Sequence, residues 1–297
     1  MNFYNPRATI FGRNAVKLEA RPGEALDIDF IRAHCPALFA EVPHSSRSER
    51  FAHIPTHEMI NALAKEGWAI TGVRVGGSSD AEKRAFTKHM LRLRRVDQLQ
   101  PRNLNETLPE IVLKNGHDGT SQYHLMLGLF RFICMNGMVV ADSVVGDVKV
   151  PHRGHALDKV IEGTYSVISH GQQVLDRVES LKQIVLDPGE ARAFASAALV
   201  ARFEDEVPKS LKDDPLKALK SRRREDEKPD LWTVFNRAQE NLIKGGISFD
   251  AVREDAQGRQ NHIQQTTRPV RSVDGDIKLN RALWTLTEEM AKLKGGA

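Results

Sequence analysis

The hydrophobic period of this chain changes near Pro151, from a long block of strand-like alternation to helical steps, and that change limits the fold more than any other feature. Between Trp68 and Val150, apolar residues alternate or form short runs closed by Asn-Gly and Asp-Gly pairs. From Ala156 onward they recur at three- and four-residue steps. Alternation places every second side chain on one sheet face, whereas three- and four-residue steps line one face of a helix. A block of strands followed by a block of helices predicts an α+β chain, with an antiparallel, hairpin-rich sheet in the N-terminal half and a helical C-terminal half.

Local signals sharpen this plan. Residues 1–50, punctuated by Pro6, Pro22, Pro36 and Pro43, read as an extended arm with one short helix or strand. Pro55-Thr56 opens a helix, with Thr56 as its cap, Met59, Ile60 and Leu63 on one face, and Gly67 at its end. Strands are expected over Trp68–Val75, Phe86–Val96, Glu110–Lys114 and Val144–Val150. The apolar run Leu125–Met135 meets Asn136-Gly137 before Met138-Val139-Val140, which signals a hairpin. A helix from Thr120 to Asn136 is the alternative. A long helix from Leu157 to Val185, loosened near Gly171, precedes a second one capped by Asp187-Pro188-Gly189-Glu190. Residues 204–229, charged and proline-marked, read as a mobile linker or exposed loop. Asp230 caps a helix to Gly245, the stretch 253–269 is polar, and Leu279 to Leu293 form a terminal helix. The expected organisation is an arm (1–50), a strand-rich core (51–155), helices packed on it (156–203), a linker (204–229) and a helical end (230–297).

A chain of 297 residues with 40% apolar content buries a core without disulfides or metal. Its two cysteines, Cys35 and Cys134, make no disulfide framework, and the N-terminus lacks a secretory apolar segment. A soluble, cytoplasmic protein kept in a reducing compartment is expected. No apolar run reaches the roughly 20 residues of a membrane-spanning helix. There is no phosphate-binding glycine loop, no nucleophile elbow and no clustered Cys-x-x-Cys, so no cofactor is expected and no complete catalytic signature is present.

The net charge of +4 permits nucleic-acid binding without demanding it, and its distribution is more informative. Lys83, Arg84, Lys88, Arg92, Arg94 and Arg95 occur with no acidic residue between Lys83 and Arg95. If Leu91 and Leu93 face the core, Arg92 and Arg94 share the opposite face. Lys114 and Arg131 add to the basic set. Arg131, inside an apolar run, requires a partner if buried (Asp118, Asp142 or a phosphate) or else lies on a strand's wet face. Lys149, His152, Arg153 and His155 cluster in a short turn suited to phosphate contact or to a solvated helix entry.

Ten of the eleven histidines precede position 171. His53 and His57 have the spacing of paired zinc ligands, but Pro55 between them breaks the helical geometry, so a structural role is expected. His117-Asp118, framed by Asn115-Gly116 and Gly119, reads as a turn, with phosphate binding or a catalytic base at His117 as alternatives. Cys134 reads as a small buried hydrophobe.

The segments FAHIPTHEMINALAKEGW (51–68), FTKHMLRLR (86–94), LKNGHDGTSQYHLMLGLFRFICMNGMVV (113–140), VPHRGHALDKVIEG (150–163) and RPVRSVDGDIKLNRALWTL (268–286) together resemble the domain of unknown function 932 family, described as phage- or plasmid-like proteins. The resemblance implies a mobile-element or prophage origin in a bacterium. It marks Asn115, His117, Asp118, Gly119, Arg131, Asn136, Gly137 and His152 as motif positions without assigning them roles. The element order is loosely similar to that of single-strand annealing proteins, which hold nucleic acid in a basic groove.

The leading expectation is therefore a homo-oligomeric protein that binds single-stranded DNA in recombination or replication of a mobile element. Lys88, Arg92, Arg94, Lys114, Arg131 and Arg153 would contact phosphates, and Trp68 or Tyr123 would stack on bases. The alternatives are a metal-assisted nuclease or hydrolase using His53, His57, His117, Asp118 or His152, and an accessory factor that binds proteins through its helical half.

Overall fold

The computed structural model describes the chain except for residues 1, 5–8, 11–13, 48–50, 52, 104–105, 135, 140–146, 151–155, 255–259 and 296–297. The chain divides into two compact units. One comprises Met1–Leu175 with Arg271–Val273, the other Asp176–Val270 with Asp274–Ala297.

The first unit is built on an eight-stranded antiparallel sheet. Its elements are β1 (Asn2–Tyr4), β2 (Thr9–Ile10), β3 (Val16–Glu19), β4 (Glu24–Leu26), α1 (Ile28–His34), α2 (Thr56–Lys65), β5 (Trp68–Val75), β6 (His89–Arg95), β7 (Thr107–Asn115), β8 (Tyr123–Arg131), β9 (Asn136–Val139), β10 (Asp147–Val150), α3 (Ala156–Ser169) and α4 (Gly171–Leu181), the last of which contains the boundary between the units. The sheet order is β10-β8-β7-β6-β5-β3-β2, while β9 also pairs with β8 and β1 pairs with β4 in a separate ribbon. Residues 16–19 thus belong to the sheet and not to an arm, because Val16 and Leu18 bring two more buried apolar side chains to it.

Register explains the layering. Leu18, Val73, Leu91, Leu113, Leu125 and Val148 lie side by side across six strands. This apolar row faces the helices: at Gly163 of α3 an added Cβ would lie 2.8 Å from Val148 and 3.4 Å from Leu125, so only glycine allows that approach. Every residue of β5 and of β8 is buried, so the sheet's second face is enclosed there as well.

The hairpin expected near Asn136-Gly137 exists, with a correction in its geometry. The turn is a short 3-10 segment, Phe132–Cys134, and Asn136 and Gly137 are already on the returning strand, opposite Arg131 and Phe130. β9 and β10 both pair with the same edge of β8: Val139 lies opposite Gly128, and Asp147 opposite Met126. Another correction concerns Thr56, whose side chain does not cap α2; its hydroxyl is recruited by His89 instead. Gly67, at φ +81°, ends that helix as expected.

The second unit contains α5 (Pro188–Phe203), α6 (Lys209–Asp213), α7 (Leu231–Lys244), a two-stranded ribbon β11 (Ser248–Glu254) and β12 (Gln260–Thr266), and α8 (Val273–Leu293). The Asp187–Glu190 capping box forms as the sequence predicts. Residues 204–229 are folded and not a linker, since α6 and three 3-10 turns bury Leu211, Ala218 and Leu219. One of its arginines is held by carboxylates: Arg223 pairs with Asp226 at 2.6 Å and Glu240 at 2.8 Å. The polar stretch after α7 forms the β11–β12 ribbon, which its composition does not announce. No helix among the described residues is long and apolar enough to cross a membrane.

Candidate nucleic-acid interface

Strand alternation puts Arg92 and Arg94 on one face, as the sequence predicts, but that face holds them. Glu110 of β7 reaches both. The Arg92 guanidinium is ion-paired with Glu110 and donates to the carbonyl of Gly137 at 3.0 Å. Arg94 is 2% exposed; its Nε donates to Thr71 Oγ1 at 3.1 Å, and its guanidinium lies 3.8 Å from the Phe130 ring centre. Burial lowers the Arg94 pKa to about 10, against the opposing pull of Glu110. The expectation of two solvent-facing phosphate contacts is thereby corrected: both arginines build the interior. Period two fixes which side chains share a face, not whether water reaches it.

Other expected cations scatter. Lys88 lies before β6, and its carbonyl accepts from Gly76 N at 2.8 Å. Arg131, at the end of β8, is 4% exposed, which decides its open reading in favour of burial. His152 and Arg153 lie outside the described residues. Tyr123 is fully buried and is unavailable for stacking, while Trp68 is 7% exposed.

Asn115, His117, Asp118 and Gly119 do two separate jobs. Asp118 Oδ1 accepts from Thr120 N at 3.0 Å and Thr120 Oγ1 at 2.6 Å, and Gly119 sits at φ +72°, so the turn reading holds. Asn115 and His117 point inward to a cluster around Thr56. Asn115 Nδ2 donates to Thr56 Oγ1 at 2.9 Å and to the Ile54 carbonyl at 3.0 Å. Thr56 Oγ1 lies 2.8 Å from His89 Nε2 and 3.4 Å from His117 Nε2. His89 Nδ1 donates to the Thr87 carbonyl, so its Nε2 accepts the threonine hydroxyl. Burial lowers the His89 pKa to about 4. The His53 ring centre is 4.5 Å from that of His117, and its Nε2 bonds the Ala40 carbonyl. His57 stacks on Phe39 with centroids 6.5 Å apart.

The sequence reading gave Thr56 only a capping role and His89 none, and only the tertiary pairing of residues 33 positions apart reveals their contact. Among the described residues, no group of three or more His, Cys, Asp or Glu side chains could hold a metal ion. Cys35 is buried, which pushes its thiol up to about 12, and the side chain of Cys134 is not described.

One residue away from the apolar row, on the opposite face, runs a different row. Lys17, Arg74, Met90, Lys114, His124 and Lys149 lie side by side across the same six strands. Four of its six members are lysine or arginine. With strands about 4.8 Å apart, the row spans roughly 24 Å. Lys149 at one end is exposed, Lys17 at the other keeps a quarter of its side chain exposed, and Arg74 and His124 between them are buried at 9% and 8%. The next row on that face contains Glu19 and Arg92, so Glu19 stands to one side of the line. Lys17 pairs with Glu19 at 2.7 Å. The sequence marked Lys114 and Lys149; Lys17, Arg74 and His124 emerge only from the register.

Residues 43–284 match the signature of the domain of unknown function DUF932. The chain is 42% identical over 256 residues to the UPF0380 protein YfjQ of Escherichia coli strain K12, and 43% identical over 256 residues to the UPF0380 protein YafZ of the same strain. Each alignment covers 86% of this chain and 88% of the relative. No solved structure matches.

Proposed function

Taking as premise that the chain belongs to the DUF932 family, whose name states no activity, we propose that it binds single-stranded nucleic acid along the row from Lys17 to Lys149, in the cytoplasm of a bacterium carrying a mobile element. The observation that carries this reading is the register itself, which sets Lys17, Arg74, Lys114 and Lys149 in one line across the sheet. Cations on four of six neighbouring strands can follow a flexible phosphate backbone, and each phosphate neutralised releases counterions.

Fluorescence anisotropy of a labelled oligothymidylate tests the reading. The logarithm of affinity should fall linearly with the logarithm of salt concentration, with a slope of about 0.7 per phosphate contacted. Lys114→Ala and Lys149→Ala should each reduce that slope by one contact and weaken binding severalfold. A wild-type affinity insensitive to salt, or variants that bind as the wild type does, would sink it.

A further inference from the structure

A cleft in the first unit lies outside both the cationic row and the histidine cluster. It is bounded by the last turns of α2, the start of β5 and the second half of α3, and encloses about 480 Å³. That volume is in the range of pockets that bury a small ligand. Leu63, Trp68 and Ile168 supply its apolar surface. At its rim, Tyr165 Oη donates to Glu66 Oε2 at 3.0 Å, joining α3 to the end of α2. The Arg95 guanidinium lies 5.9 Å from the Trp68 ring centre, and its Nη1 donates to the Glu66 carbonyl at 3.3 Å.

The charge of the cleft selects its ligand. Two carboxylates, Glu58 and Glu66, line it together with two cations, Lys65 and Arg95. An anionic ligand would meet the carboxylates, and an organic cation would find the indole already approached by Arg95. A neutral ring suits the balance. Indole, phenol and guanidinium groups are the surfaces on which flat heterocycles stack. A carboxylate at the rim accepts from an exocyclic amine or ring N–H. Tyr165, 56% exposed in a protein whose other two tyrosines lie far from this cleft in sequence, is the ring most available to an entering ligand.

We infer that this cleft is a nucleobase site. The inference deepens the single-strand reading and rests on it where the base belongs to a strand; a free nucleoside is the other source of the same chemistry. Backbone binding by the lysine row and base capture by the cleft are separable, because an abasic strand retains phosphates and lacks rings.

Oligothymidylate, oligoadenylate and an abasic strand of equal length are titrated against the full chain, and adenosine and thymidine are titrated separately by saturation-transfer NMR. Base-containing strands should bind roughly tenfold more tightly than the abasic strand, the scale of one base–aromatic stack. Tyr165→Ala should abolish that difference and leave abasic binding unchanged, whereas Tyr165→Phe, which keeps the ring, should retain most of it. If strands with and without bases bind alike and neither nucleoside binds, the cleft is not a base site while the backbone reading stands. If no strand binds but a nucleoside binds and Tyr165→Ala removes it, the cleft assignment stands and the backbone reading falls. A preference for base-containing strands, or nucleoside binding, that survives Tyr165→Ala overturns the inference, as does binding of neither strands nor nucleosides.

Discussion

His89 illustrates how one side chain ties stability to pH. It is fully buried, and burial lowers its pKa from 6.5 to about 4, with the Thr87 carbonyl and the nearby Asp118 pulling weakly the other way. His53, lowered for the same reason, acts in the same direction. Between those two values the unfolded chain binds a proton that the folded chain refuses, so folding stability rises with pH across that window. The contribution of His89 is fully present above 6.5, declines as pH falls toward 4 and is then constant. The shift corresponds to about 3 kcal/mol. Urea unfolding midpoints measured from neutral to acidic pH should fall across this window, and His89→Gln should flatten the fall; a profile equally steep in the variant would refute the assignment. None of this was legible in the sequence, where His89 is one of eleven histidines. The Asp187–Glu190 cap was legible because its partners are three residues apart. The partners of His89 are Thr56, 33 residues earlier, and a backbone carbonyl.

Strands and helices were legible wherever their periodicity was local. The apolar positions of β5, β6 and β7 and the helical steps of α5 and α7 place those elements within a few residues of their observed bounds, whereas the single long helix read from Leu157 to Val185 is two, α3 and α4, parted at His170 where the sequence suggested only a loosening. What failed is what one element cannot know about its neighbour. The arginines of β6 are on the predicted face, but the carboxylate that captures them is on β7 and the carbonyls are on β9. β11 and β12 escaped because six of seven residues in β12 are exposed and none is charged or strongly apolar except Ile263. Close approach between strands also leaves a mark at glycine. An added Cβ at Gly128 would lie 2.7 Å from Val112 Cγ2, 2.8 Å from the Met138 carbonyl oxygen and 2.9 Å from Glu110 Cγ. The carbonyl belongs to the backbone and cannot rotate aside. Gly128→Ala should therefore destabilise by about 1–3 kcal/mol, the usual cost of overpacking. Denaturant titration would check it, and an unchanged midpoint would mean that β8 and β9 separate more easily than their contacts suggest.

Across the whole molecule, the α+β plan holds, while its division differs from the sequence reading. The sequence places α3 and α5 in one helical layer; the chain assigns α3 to the first compact unit and α5 to the second. Composition gives no boundary there, because the segment between them is as helical and as charged as its surroundings. Two units, each with its own core, predict unfolding that departs from a single two-state transition. Trp232 and Trp284 lie in the second unit and Trp68 in the first, so the tryptophan fluorescence of a Trp68→Phe variant reports on the second unit, and far-ultraviolet circular dichroism reports on both. The two signals should change over different denaturant ranges, and superimposable curves would argue for one cooperative block.

The shared edge of β8 has a consequence for how this fold tolerates change. Val139 and Asp147 stand opposite Gly128 and Met126, so only the position opposite Leu127 separates two strands that are eight residues apart in sequence. Geometrically, β9 and β10 are halves of one ribbon, and the ladder asks for a single residue where the chain supplies seven. Because both halves keep their own register on β8, a residue inserted or deleted between Val139 and Asp147 changes loop-closure entropy little and leaves the pairing of the sheet as it is.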